Sequence, residues 1–419
     1  MTASIAAAER LLAFVDASPT PFHACAAAAV RLEEVGFTRH DLRDQWQSGP
    51  QRGYAVFGGS LIAWQVGDQA SAHQGFRIVG AHTDSPNLRL KQNHDSVRAG
   101  STMVALEPYG GPLLESWLDL DLGIAGRVFL QGGNELLVRI DEPLLRVPRL
   151  AIHLDRDGSK LDRQRHLDAI WSLSDRPFLT EVGERAGFAP DEVAGFDLMA
   201  FDLRPSTLTG AAREFISAPR LDNLATCSAA LDAMVTATEQ PNRTARQVMV
   251  LFDHEEVGST SERGADSPLL LSVLERIVLA AGGDREDLLR AVADSISVSG
   301  DMAHATHPNQ PEKHEPLHRI ELGGGPVLKI NQNLRYATDG RGAGIFADAC
   351  RSAGVPLQRY VHRADLPCGS TIGPISSART GILTIDVGAP QLAMHSAREL
   401  MATADIDSYG RALAGFLSH

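Results

Sequence analysis

Five stretches of the chain concentrate histidine, aspartate and glutamate, and four of them follow an apolar run. FRIVGAHTDS (76–85) is an apolar run that leads into His82-Thr83-Asp84. Residues i and i+2 share a face in extended chain, so His82 is placed to bind a cation while Asp84 holds it, or its neighbour, in orientation. A polar turn is the plainer alternative. Arg220-Leu221-Asp222-Asn223 opens a helical stretch. There Asp222 is either an N-cap or a carboxylate whose two oxygens serve two cations. VMVLF then runs into Asp253-His254-Glu255-Glu256. Four ionisable residues directly after a buried strand are costly unless they sit at a site or in solvent. Open α/β sheets place their ligand crevices at the C-terminal ends of strands. Adjacent carboxylates diverge in extended chain, so one can ligate a cation while the next acts as a general base. The alternative is a solvated charge run.

SISVSG leads into Asp301-Met302-Ala303-His304-Ala305-Thr306-His307. Asp301 stands as a ligand at a strand end, and His304 and His307 are either ligands, neighbours or polar surface. The fifth stretch is Met394-His395-Ser396, after ILTIDVG and a proline. Two histidines and three carboxylates from separate strand ends suit two zinc ions, with manganese or cobalt as substitutes. Such a pair acidifies a water and clamps the oxygens of a displaced group, and a glutamate beside it removes the proton. No GxSxG occurs, and Cys368 in PCGSTIG has no evident acid–base partner, so covalent catalysis is disfavoured.

These residues need a scaffold. A chain of 419 residues exceeds one ordinary core and predicts two or three domains. Helices are expected over 4–17 and 21–36, the second opened by Thr20-Pro21, and a strand pair over 53–66 with Gly58-Gly59 as its turn. Residues 95–218 carry short alternating runs broken by Gly, Asp and Pro and read as a β-rich module. From 221 onward helices and strands alternate: a helix at LDNLATCSAALDAMVTAT, a strand at RQVMVLF, a helix at SPLLLSVLERIVLAAGG, strands at SISVSG, PVLKINQ, LQRYVHRA and GILTIDVG, and a C-terminal helix near 404–418. The class is α/β with a β-rich insertion. Gly323-Gly324-Gly325 lacks the spacing of a phosphate-binding loop.

Composition bounds the partners. Lys plus Arg total 39 against 52 Asp plus Glu, a net charge of −13 that disfavours nucleic acid and anionic membrane surfaces. Cys25, Cys227, Cys350 and Cys368 form no CxxC pair, which fits a reducing compartment. The N-terminal stretch carries Glu9 and Arg10 within its apolar part and reads as an amphipathic helix, not a signal peptide. No run of 18 apolar residues is present, so the expected location is the cytoplasm.

In this order the segments resemble the aspartyl aminopeptidase family of dinuclear zinc metallopeptidases. The matching motifs are GAHTDSPNLRLK (80–91), RLAIHL (149–154), SAPRLDNL (217–224), FDHEEVGS (252–259), DMAHATHPN (301–309), GPVLKINQNLRYAT (325–338), PCGSTIGPI (367–375) and DVGAPQLAMHSARE (386–399). The resemblance implies a zinc-peptidase-like catalytic domain with a central mixed sheet and flanking helices, over 1–94 and 219–419, interrupted by a β-rich dimerisation domain over 95–218. It implies that His82 and Asp301 bind one zinc, Glu256 and His395 the other, and that Asp222 bridges. Glu255 is the implied general base and acid, with Asp84 orienting His82; His304, read from its spacing alone, is a candidate supporting residue beside the ligands. His153 is implied to reach a partner subunit's site and stabilise the oxyanion. Lys329 is implied to face an acidic substrate side chain, and the Ser370-Thr371-Ile372-Gly373 loop to line the pocket.

The implied reaction is removal of N-terminal Asp or Glu from peptides, by dimers assembled into a dodecamer. The alternatives are an aminopeptidase preferring apolar N-terminal residues, an amidohydrolase acting on N-acyl groups, and a metal-stabilised scaffold without catalysis.

Overall fold

The structure, a computed structural model, describes residues 2–46, 52–156, 158, 160–239, 244 and 246–418. It divides into two compact units, one formed by Met1–Asp84, Ser206–Met394 and Glu399–His419, the other by Ser85–Pro205 with His395–Arg398. The expected boundary at 94/95 falls within the strand Asn87–Arg98, whose pairing with Ser101–Tyr109 keeps it in the second unit. The expected boundary at 218/219 comes late. The strands Thr207–Thr209 and Phe215–Ala218 pair with each other, and the latter with Glu399–Ala402, inside the first unit.

Among the described residues of the first unit, nine strands form one mixed sheet. Their order is Thr38–Arg39, Arg52–Phe57, Ser60–Val66, Arg246–Phe252, Arg77–His82, Ile296–Gly300, Leu383–Gly388, Val327–Ile330 and Gln358–Val361. The four central strands, Arg246–Phe252 to Leu383–Gly388, are mutually parallel, so their C-terminal ends lie along one edge. They are rich in Val, Ile and Leu because both sheet faces are covered. Val79, Ala81, Met249 and Leu251 face one layer, with the helices Thr2–Ala17, Leu221–Glu239, Gly340–Ser352 and Thr403–Ser418. Ile78, Val248, Val250 and Phe252 face the other, with Leu269–Ala280. The period of two along each strand sorts these residues between the layers.

The helix Leu221–Glu239 is buried on nearly every side, and Ala225, Cys227, Ala229, Ala230 and Ala233 keep it slim enough to lie between the sheet and the C-terminal helix. The expected helix at 21–36 runs from Pro21 to Glu34, and Thr20 caps it by accepting the His23 N–H at 3.4 Å. The expected hairpin at 53–66 forms with Gly58 at φ +61° in its turn. The triple glycine 323–325 is a structural loop: the Asp405 carboxylate accepts the N–H groups of Gly323 and Gly325 at 2.8 Å each.

Among the described residues of the second unit, six strands pair in the order Glu135–Leu145, Leu122–Leu130, Val193–Asp202, Asn87–Arg98, Ser101–Tyr109 and Ala169–Ser172. Arg146 and Ile170 exchange backbone hydrogen bonds of 3.1 and 2.8 Å, joining the two ends of this sheet. Such closure leaves fewer unpaired edge groups. The module is β-rich as expected and also holds the helix Phe178–Ala186, which the alternating pattern did not announce.

Candidate active site

Phe252 pairs with His82 and Ser299 with Gly80, so the segments after three parallel strands emerge side by side. His82 ends its strand, Asp253 to Glu256 follow the next, and Asp301 follows the third. Asp222 comes from the start of Leu221–Glu239, where its backbone is not helical (φ −82°, ψ 103°). Its N–H donates to Glu399 Oε2 at 2.9 Å. Sequence reasoning missed Glu399, although it closes the quoted stretch DVGAPQLAMHSARE.

His82 is 1% exposed. Its Nδ1 lies 3.0 Å from the Asp84 carbonyl oxygen and 3.4 Å from Asp84 Oδ1. Its Nε2 lies 3.5 Å from Asp222 Oδ1 and 3.9 Å from Asp301 Oδ1. A carbonyl only accepts, so Nδ1 carries a proton, and Nε2, which faces the two carboxylates, is the nitrogen left to take a cation. Two groups of potential cation ligands share His82: one with Asp222 and Asp301, one with Glu255 and Glu256, the donor atoms of each lying within 4.8 Å of one another.

The electrostatics point the same way. Burial opposes a charge on His82, yet hydrogen bonding to Asp222, Asp301 and Asp84 lifts it well above the ordinary imidazole range. Burial is also the main reason that the Glu255 carboxyl is pushed up to about 8; Asp301, Asp84 and Asp222 add to this and His82 opposes it. Carboxylates gathered out of water call for positive charge among them, and an imidazole-plus-carboxylate set matches zinc. The donor set therefore fits the metal.

Asp84 does more than orient His82. It is fully buried, and its carboxylate accepts the N–H of Glu255 at 3.1 Å and of Glu256 at 3.0 Å. Lys329, in the strand Val327–Ile330, is 3% exposed; its Nζ lies 3.6 Å from Asp301 Oδ2 and 5.5 Å from the centre of the Tyr336 ring. His304 follows Asp301 in a two-residue strand, its ring 6.1 Å from that of Tyr360. The His307 N–H donates to His314 Nε2 at 3.1 Å.

Thr371 is buried, caps the helix Ile372–Thr380 and donates to Asp386 Oδ1 at 2.6 Å. A Cβ on Gly373 would collide with the same Asp386 carboxylate. Asp386 also accepts from Ser299 at 2.8 Å and from the Ala337 N–H at 2.6 Å, so one carboxylate ties together the segments that carry Tyr336 and Thr371. Ser370 is exposed, and its hydroxyl donates to the Arg335 carbonyl at 3.2 Å.

His395 and His153 belong to the second unit. His395 lies at φ +67° in the connection between Pro390–Leu392 and Glu399–Ala402. Its Nδ1 lies 3.1 Å from the Gly111 carbonyl oxygen, so that nitrogen is the protonated one and Nε2 the one with the lone pair. His153 is exposed in a turn beside Leu150, Ile152 and Leu154, which are 56%, 65% and 74% exposed.

Parallel strands at the centre of a mixed sheet, with a buried imidazole and carboxylates gathered at their C-terminal ends, form a scaffold suited to a metal-dependent hydrolase. Residues 14–417 match the family described as Aminopeptidase I zinc metalloprotease (M18), and the chain belongs to that family. It is an M18 metallo-aminopeptidase, as the resemblance of its motifs implied. A "Probable M18 family aminopeptidase 2" from Mycobacterium leprae is 56% identical over 423 residues, 99% of each chain. The structure in an Ape4 and Nbr1 complex matches with a TM-score of 0.95 at 35% identity, covering 100% of this chain and 86% of that one. A yeast mApe1 dodecamer structure matches at 0.87 and 28% identity, covering 98% and 96%.

Among the described residues no helix is long and apolar enough to cross a membrane.

Proposed function

We propose that this aminopeptidase removes N-terminal Asp or Glu from peptides, using two zinc ions, with Glu255 as general base. The observation that carries the reading is the convergence of buried His82 with Asp301, Glu255 and Glu256 at parallel strand ends, joined by Asp222 from the start of a helix. His82 and Asp301 would hold one ion, Glu256 and His395 the other, and Asp222 both. Bound there, zinc supplies Lewis acidity toward the peptide carbonyl and acidifies water.

The chain's own residues do the rest. Glu255 takes the proton of the attacking water and returns it to the leaving amine. A carboxyl drawn upward by burial, and brought back down by cations, is suited to hold a proton briefly. Asp84 fixes both His82 and the turn that carries Glu255. Lys329 supports the acidic preference: a buried ammonium beside the site pairs with a substrate carboxylate and rejects an apolar side chain. The partner subunit's His153 stabilises the oxyanion. Assembly of dimers into a dodecamer follows the yeast relative, and the exposed apolar residues around His153 suit a protein contact. The four free cysteines agree with a cytoplasmic location.

The test is a panel of Asp-, Glu-, Leu- and N-acetylated chromogenic amides, each with and without a chelator. Chelator-sensitive turnover confined to free amino termini, with Asp and Glu ahead of Leu, is expected. Equal cleavage of acetylated substrates would assign the site to amidohydrolysis, and a preference for Leu would remove Lys329 as the reader of charge.

A further inference from the structure

The turn carrying Glu255 is held from a second side, opposite in sequence to Asp84. His254, the residue before Glu255, sits at φ +65°, a left-handed conformation that a side-chain-bearing residue keeps only where its surroundings hold it. Arg263 supplies the hold. Its Nε donates to Asp253 Oδ2 at 2.8 Å, and its Nη2 lies 3.1 Å from His254 Nε2. A guanidinium has no acceptor, so Nη2 donates and His254 Nε2 accepts. The proton of the ring is then on Nδ1, which donates to Ser261 Oγ at 2.8 Å.

One fork thus fixes the two residues that precede the proposed base. The surroundings close the arrangement. The Asp253 N–H donates to Ser60 Oγ at 2.8 Å, and that hydroxyl donates to the Arg263 carbonyl at 2.7 Å. The Asp253 side chain is 1% exposed and that of Arg263 14%. Gly59 lacks a Cβ where one would collide with the Asp253 carboxylate. A buried ion pair is a poor source of stability but a good source of fixed geometry when its hydrogen bonds are met.

We infer that Arg263 is a positioning residue for the hydrolytic reaction: acting through Asp253 and His254, it sets the reach of the Glu255 carboxylate. This rests on Glu255 being the base, so Glu255→Gln is measured in parallel. Arg263→Ala is expected to lower kcat about 10–100-fold, with KM and zinc content nearly unchanged, as the loss of a partner that orients a metal site does. Millimolar guanidinium is expected to restore part of that kcat. Arg263→Lys, which reaches one partner but not both, is expected to fall between, and it is read in place of Arg263→Ala if the latter does not fold.

A folded Arg263 variant with wild-type kcat, a loss confined to KM, or a kcat loss that guanidinium does not relieve overturns the inference while Glu255→Gln stays inactive. Turnover retained in Glu255→Gln removes the base itself, and the inference with it.

Discussion

Glu255 and Asp84 are joined by a hydrogen bond of 3.1 Å from the Glu255 N–H to Asp84 Oδ1, and the other oxygen of Asp84 takes the Glu256 N–H at 3.0 Å. One carboxylate therefore orients the proposed base, the residue beside it and His82 together. Replacing Asp84 with Asn turns one acceptor oxygen into a donor facing a donor. Asp84→Asn is expected to lower kcat and zinc affinity together, by about 10–100-fold. Kinetics and metal titration on the folded variant check this; a change in neither would make Asp84 a bystander.

Lys329 reads substrate charge in this account because its ammonium is buried next to Asp301. Lys329→Met is expected to weaken cleavage of Asp-amide more than Leu-amide, by about 2–5 kcal/mol in kcat/KM, the usual cost of losing one partner of a buried charged pair. Equal losses on both substrates would give Lys329 the role of holding Asp301 instead.

The partner subunit's His153 is tested by complementation. His153→Ala chains and Glu255→Gln chains are each expected to be nearly inactive, and mixed dimers to recover activity, since one site then has both residues intact. No recovery in dimers verified as mixed would place His153 outside the reaction.

Asp405 gives the stability of the fold a pH dependence of its own. Burial pushes its carboxyl up to about 7, against the opposing hydrogen bonds from Gly323 and Gly325. A carboxyl that is higher in the folded than in the unfolded chain contributes stability present at low pH, and this is lost as pH rises from the ordinary carboxylate range to about 7. Asp405→Asn removes that slope, so its destabilisation relative to the parent chain is expected to shrink between pH 5 and about pH 8. Thermal melts across that range check it; a constant difference would mean that Asp405 does not titrate there.

Much of the site was legible because apolar runs ending in ionisable residues mark strand ends, and a parallel sheet puts several such ends on one edge. His82, Glu255, Glu256 and Asp301 were found that way. What stayed hidden is set by distant pairing. Glu399 meets Asp222 from 177 residues away, and Asp386 joins the segments of Ala337 and Thr371 only once the sheet has formed. The second unit begins ten residues before the expected 94/95 boundary because Asn87–Arg98, which follows His82 after only residues 83–86, pairs with the strands of that unit. Arg263 lies outside every motif, in a loop whose composition resembles ordinary polar surface.

The central claim is that Asp222 is shared by two cations. Anomalous scattering from crystals of the zinc-loaded protein tests it most directly. Two peaks per chain are predicted, one beside His82 and Asp301, the other beside Glu256 and His395, with one oxygen of Asp222 bound to each. A single peak, or an Asp222 that touches only one ion, would contradict it.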